Sequence, residues 1–144
     1  MELRSDLRIK AERGRVEELL SSPSRFAECL PGIQEYEVKG DEFRAVFKLD
    51  VSDLTPHISS LTVVANSRLA REGQRILVSG TGRSAGVNIK FAINIEIVDD
   101  REGTRILWDA NLNLGILEKL LGNSVGRIAE VNVKKIVECI SRKV

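Results

Sequence analysis

Apolar and polar residues alternate one by one through most of this chain, then recur at three- and four-residue spacing at its end. Over residues 2–10, Leu3, Ser5, Leu7 and Ile9 fall on one side and Glu2, Arg4, Asp6, Arg8 and Lys10 on the other. That is the pattern of a strand with one buried and one wet face. Glu12-Arg13-Gly14 interrupts it, and residues 15–21 form a short helix with Val16, Leu19 and Leu20 inward. Ser22 suits an N-cap and Pro23 the first position of a second short helix, which carries Phe26, Ala27 and Leu30 and stops at Pro31-Gly32.

Six strands follow. Residues 33–39 and 42–51 alternate on either side of a Gly40-Asp41 turn, with Phe43, Ala45, Phe47, Leu49 and Val51 inward on the second. Residues 52–57, containing Pro56, read as a loop. Residues 58–71 and 75–81 form the next two strands, and the glycines at 80, 82 and 86 suggest a bulge. Residues 87–97 give the clearest alternation, with Val87, Ile89, Phe91, Ile93, Ile95 and Ile97 on one side. Residues 104–114 repeat it with Ile106, Trp108, Ala110, Leu112 and Leu114.

From Ile116 to Val144 the period changes. Leu117, Leu120, Leu121, Val125, Ile128, Asn132, Ile136, Cys139 and Ile140 mark the stripe of one amphipathic helix. A segment of this length spans roughly 40 Å. Because nearly every strand has one apolar face, the sheet buries one side only, and the terminal helix is long enough to lie across it. The expected fold is α+β: a seven-stranded, curved antiparallel sheet wrapping a long C-terminal helix, with two short helices after the first strand, in one domain over 1–144.

Composition narrows the function classes. The chain has 144 residues, 42% hydrophobic and 30% charged, with 22 basic against 21 acidic residues. A balance this even argues against a nucleic-acid partner. No run of about 18 apolar residues predicts an integral membrane segment, and the N-terminus lacks the pattern of a signal peptide. Cys29 and Cys139 match no metal or redox spacing and read as reduced, buried hydrophobes of a cytoplasmic protein, with a disulfide as the alternative.

Candidate chemistry is sparse. His57, the only histidine, follows Pro56 in the expected loop and reads as solvated. No metal ligand set and no cofactor are expected. Asp109 falls on the polar face and reads as a surface carboxylate paired across to a cation such as Lys90. Ser5 and Ser67 fall on the inward face, where a hydroxyl either bonds to backbone or orients a ligand. Gly122 and Gly126 lie where the helix crosses the sheet. They read either as close packing or as space left for a ligand beneath Leu121 and Val125, bounded by Phe47, Val63, Ser67, Phe91, Ile93 and Trp108. These ten residues are the candidate ligand-binding set. With charged residues pointing outward, no catalytic residue is assigned.

The β-α-α-β6-α order resembles the helix-grip fold of the START-type (SRPBCC) superfamily. Cys29-Leu30-Pro31-Gly32 followed by Gly40-Asp41-Glu42-Phe43 resembles the CIPG…GDDxY signature of the CoxG family, named for the G component of carbon monoxide dehydrogenase. Gly80-Thr81-Gly82 with Gly86, then Gly103-Thr104-Arg105 and Trp108-Asp109-Ala110, resemble its GxG…G…GTxLxYDA pattern, and Gly115, Leu121-Gly122 and Ala129 sit where its helix carries small residues. The segment after the third strand departs from the Gly-Pro turn of many relatives. The resemblance implies a non-catalytic accessory protein of molybdenum hydroxylases of the carbon monoxide dehydrogenase type, which recruits or matures them or handles a hydrophobic small molecule that is lipid- or quinone-like. Two other classes remain open: an enzyme on the same fold (a cyclase, hydrolase or isomerase acting on an apolar substrate) and a protein–protein adaptor without a ligand.

Overall fold

A computed structural model describes the backbone of residues 1–55 and 58–144 and the side chains of 1–52 and 59–144. The expected fold is present: β1 (Glu2–Ile9), α1 (Arg13–Ser21), α2 (Pro23–Glu28), β2 (Glu35–Lys39), β3 (Glu42–Thr55), β4 (Ile58–Glu72), β5 (Arg75–Ser84), β6 (Val87–Asp100), β7 (Gly103–Asn113), α3 (Leu117–Leu121), a 3₁₀ turn (Gly122–Ser124) and α4 (Val125–Lys143). The strands form one antiparallel sheet in the order β1-β7-β6-β5-β4-β3-β2. It is a meander closed by β1 returning beside β7, which leaves β1 and β2 as edges.

Two expectations for the strands change. Residues 52–55 continue β3, and the register between β3 and β4 slips between Asp50 and Thr55. No bulge occurs at the β5 glycines, because β5 stays in register with β4 and β6 through Ser84. Gly80 is required for another reason: a Cβ there would collide with the Asn66 carbonyl of β4. The sheet brings the two backbones closer than any side chain permits.

The terminal segment is two helices. Gly122 has φ 54° and ψ −131°, a conformation open to glycine alone, and it ends α3. What crosses the sheet is α4, 19 residues and about 28 Å long. The cysteines differ from expectation as well. Cys29, just past α2, and Cys139, late in α4, form a disulfide with Cα atoms 5.4 Å apart. The fold places α4 against α2, which spacing of 110 residues along the chain did not reveal. The pairing removes reduced thiols as an argument for a cytoplasmic location.

The inward face of the sheet is covered by two different sets of elements. At one end α1, α2 and the end of α4 pack on it, and Val16, Leu19, Ala27, Ile76, Ile97 and Ile106 are almost fully buried, with Ile140 of α4 among them. At the other end only α3 and the first turns of α4 lie over it.

Candidate functional site

Beneath α3 and the start of α4 the sheet is not filled. A cavity of about 270 Å³ lies there. For scale, an engineered apolar cavity of about 150 Å³ holds a benzene. Strand alternation supplies its floor: Phe47, Leu49 and Val51 from β3, Leu61, Val63, Ala65 and Ser67 from β4, Phe91 and Ile93 from β6, and Trp108, Ala110 and Leu112 from β7. The helical period supplies its roof, with Leu117 and Leu121 from α3 and Val125, Ile128, Ala129, Asn132, Val133 and Ile136 from α4. Phe26 and Phe43, with ring centroids 5.9 Å apart, close the end nearest α2.

Eight of the ten candidate residues line this space: Phe47, Val63, Ser67, Phe91, Ile93, Trp108, Leu121 and Val125. Gly122 and Gly126 do not. Both are exposed, and nothing lies within 4 Å of a Cβ built on either. They therefore neither pack on the sheet nor open the cavity. Gly126 lines a separate groove between the edge strand β1 and α4, shared with Leu3, Leu7, Trp108, Val133 and Val137. Of the sheet's strands, α4 packs most closely on β3 and less closely on β1.

Asn132 ties α4 to β3, and the sequence pattern gives it no role beyond a place in the stripe. Its Oδ1 accepts from the Asp50 backbone N–H at 2.9 Å, and its Nδ2 donates to the Asp50 carbonyl at 3.0 Å and the Ile128 carbonyl at 2.7 Å. The buried amide thus pairs with backbone groups where β3 leaves register with β4. Unpaired, groups of this kind cost about 1–3 kcal/mol. An Asn in an apolar stripe was the available signal; its partner depended on the strand slip. One turn on, Lys135 Nζ donates to Asp50 Oδ2 at 2.8 Å. That bond and two from Ser52 hold the Asp50 carboxyl well below the usual range. Lys143 Nζ and the Tyr36 hydroxyl each donate to Glu28 at 2.6 Å, which lowers the Glu28 carboxyl and raises the Tyr36 hydroxyl. Asn132, Lys135, Cys139 and Lys143 lie at intervals of three and four, so one stripe of α4 carries these ties to β3 and α2.

The other candidate polar groups lie elsewhere. Asp109 is exposed and accepts from Asn94 Nδ2 at 3.1 Å; Lys90 stands opposite Asn113 instead. Ser5 is exposed and lines the groove between β1 and α4 rather than the cavity. His57 lies outside the described residues. Among the described residues no cluster of three His, Cys, Asp or Glu side chains is arranged to hold a metal ion. A shallow depression of about 520 Å³ on the outer face carries Arg4, Arg75 and Arg105 beside Asp6, Glu96 and Asp109. Its mixed charge favours neither an anion nor a cation, and Arg105 already holds the Asp6 carboxyl, lowering it.

Comparison with known proteins agrees with this geometry. The fold matches a conserved protein from Geobacillus kaustophilus with a TM-score of 0.84 at 14% identity, over 99% of this chain and 94% of that one. It matches a START superfamily protein from Mycobacterium smegmatis with a TM-score of 0.73 at 11% identity, over 99% and 96%. It matches the protein XoxI from Bacillus cereus with a TM-score of 0.67 at 10% identity, over 99% and 94%. At these identities the likeness shows the fold alone. No curated protein matches in sequence. No helix among the described residues is long and apolar enough to cross a membrane. The family model of CoxG, the G component of carbon monoxide dehydrogenase, matches residues 6–144, nearly the whole chain. The chain therefore belongs to the CoxG family, built on the START-type fold.

Proposed function

We propose that the protein binds an apolar, lipid- or quinone-like molecule between the sheet and α4, and serves without catalysis as an accessory to a molybdenum hydroxylase of the carbon monoxide dehydrogenase type. The observation that carries the binding reading is the cavity of about 270 Å³, whose lining is apolar but for four residues. Sites for small molecules are concave, mostly apolar and marked by few polar groups. A void retained in a core forfeits packing on the order of several kcal/mol, so its persistence favours a use. The non-catalytic reading draws on the same lining. Among the described residues it holds no carboxylate and no histidine, and its one titratable group, Lys90, is exposed. General acid–base chemistry needs such a group within reach of the substrate. The enzyme partner rests on family membership.

One observation favours a protein–protein adaptor as the second reading: Ile116 and Leu120 are 59% and 71% exposed beside the cavity. Mass spectrometry of small molecules extracted from natively purified protein separates the two. A mostly apolar molecule at near one equivalent is the expected result. An empty protein that gains no thermal stability from a panel of apolar ligands overturns the binding reading and leaves the adaptor.

A further inference from the structure

Four polar residues reach the cavity lining, and three are accounted for. Ser84 Oγ donates to the Thr62 carbonyl at 2.9 Å. Asn132 spends both amide hydrogens and its oxygen on backbone. Lys90 is exposed. Ser67 is different. It is 7% exposed, it lies on the inner face of β4 between Phe43 of β3 and Gly80 of β5, and its hydroxyl has no hydrogen-bond partner among the described residues. Gly80 offers no side chain to it. The Trp108 indole N–H also lacks a partner, but it is sealed from the open volume, whereas the Ser67 hydroxyl is not among such sealed groups.

The Ser67 hydroxyl is thus an unspent hydrogen-bonding group in an otherwise apolar lining, where a molecule in the cavity can reach it. A ligand oxygen or N–H satisfies it. We propose that Ser67 is the hydrogen-bonding anchor of the cavity, so that the bound molecule is apolar except for a carbonyl-, ether- or hydroxyl-type oxygen at one end. This inference rests on the cavity reading above and adds the ligand's polarity and direction. Ser67 lies four residues, about 13 Å, along β4 from Val63, which pairs with Ser84 near the turn that α3 overlies. The polar end therefore sits at the Phe26–Phe43 end and the apolar remainder extends toward Leu117 and Leu121. A serine hydroxyl donates to or accepts from such a group, which fits an oxygen function and does not select its oxidation state.

The test uses a matched pair, butylbenzene and butyrophenone, which differ by one CH₂ replaced with C=O, titrated calorimetrically into the whole chain. Ser67→Ala should weaken butyrophenone about fivefold to tenfold, the worth of one neutral hydrogen bond, and leave butylbenzene within about twofold. Ser67→Thr, which keeps the hydroxyl, should retain the ketone's affinity. If Ser67→Ala shifts both probes equally or neither, the anchor is wrong while the cavity stands. If neither probe binds the unaltered protein, the cavity reading fails and takes the anchor with it.

Discussion

Around Ile76, Ile97 and Ile106 the inner face of the sheet is filled; around Phe91, Leu112 and Leu114 it is hollow. The first three are at most 4% exposed, whereas the second three stay half-buried although they alternate inward just as cleanly. Residue type does not explain the contrast, since both regions are built of Ile, Leu, Phe and Val. The cover does. The filled end lies under α1, α2 and the end of α4, fastened by the Cys29–Cys139 bond and the Lys143–Glu28 pair. The hollow end lies under α3 and the first turns of α4, tied to β3 at Asp50 along one side, with a groove left toward β1. Space in this fold is set by where the last helix is fastened.

Cutting the fastening at the filled end should have the largest effect. Cys139→Ser should lower unfolding stability by about 2–4 kcal/mol, the usual worth of a crosslink that closes a long loop. In chemical denaturation, reductant should bring the unaltered protein to the midpoint of the variant and leave the variant where it is. Two titratable thiols in the unreduced, unfolded chain would show that the cysteines are not paired. Loss of butylbenzene affinity in the variant above its stability limit would be the more instructive failure, since it would mean that the latch also shapes the hollow end.

The contrast between the ends was only partly legible in the sequence. Alternation fixed which side of each strand faces inward, because a period of two leaves no other choice. That is why pattern alone groups Phe47, Val63, Ser67, Phe91, Ile93 and Trp108 on one face. The helical residues were harder. Val125, Ile128 and Asn132 face the sheet, and Gly126 lies about 100° from Val125 around the helix, on the groove side; Gly122 is outside α4 altogether. A glycine states what the backbone is free to do, not which way it then turns. Cys29 and Cys139 pair only because α4 runs back over α2, and Asn132 meets the Asp50 backbone only because β3 slips register there. Such facts belong to the assembled fold, and no local period carries them.

The ion pairs at Asp50 and Glu28 that fasten α4, and the Asp6–Arg105 pair between β1 and β7, respond to acid. The carboxyls of Asp50, Glu28 and Asp6 are all lowered in the folded chain: Asp50 first by Lys135, Glu28 first by Lys143 and Asp6 by Arg105. A lowered carboxyl stabilises the fold above its unfolded value, 3.8 for Asp and 4.5 for Glu. That contribution is lost as the pH falls through this range toward the folded values. The melting temperature should therefore drop between about pH 5 and pH 3. Asp50→Asn, which removes the Lys135 ion pair and keeps the backbone pairing to Asn132, should cost about 0.5–1 kcal/mol at neutral pH and flatten part of the acid slope. An unchanged slope in the variant would show that the Asp50–Lys135 contact contributes nothing, leaving Asn132 as the middle tie.

The smallest expected change lies at the hollow end. In α3, Leu117 and Leu121 line the cavity, while Ile116, just before the helix, and Leu120 point away from it. At 71% exposure Leu120 has little packing to lose, so Leu120→Ser should leave the urea midpoint within the equivalent of about 0.5 kcal/mol, as surface substitutions do. Leu121, one residue on, is the control: it faces the cavity, and a hydroxymethyl there places a polar group among apolar ones. If Leu120→Ser instead destabilises by more than about 1 kcal/mol, Leu120 is packed in solution. The helix must then be rotated inward, with Leu120 occupying volume that the cavity needs. That single midpoint therefore reports whether the hollow end stays open when no ligand is bound, which is the condition the binding reading requires.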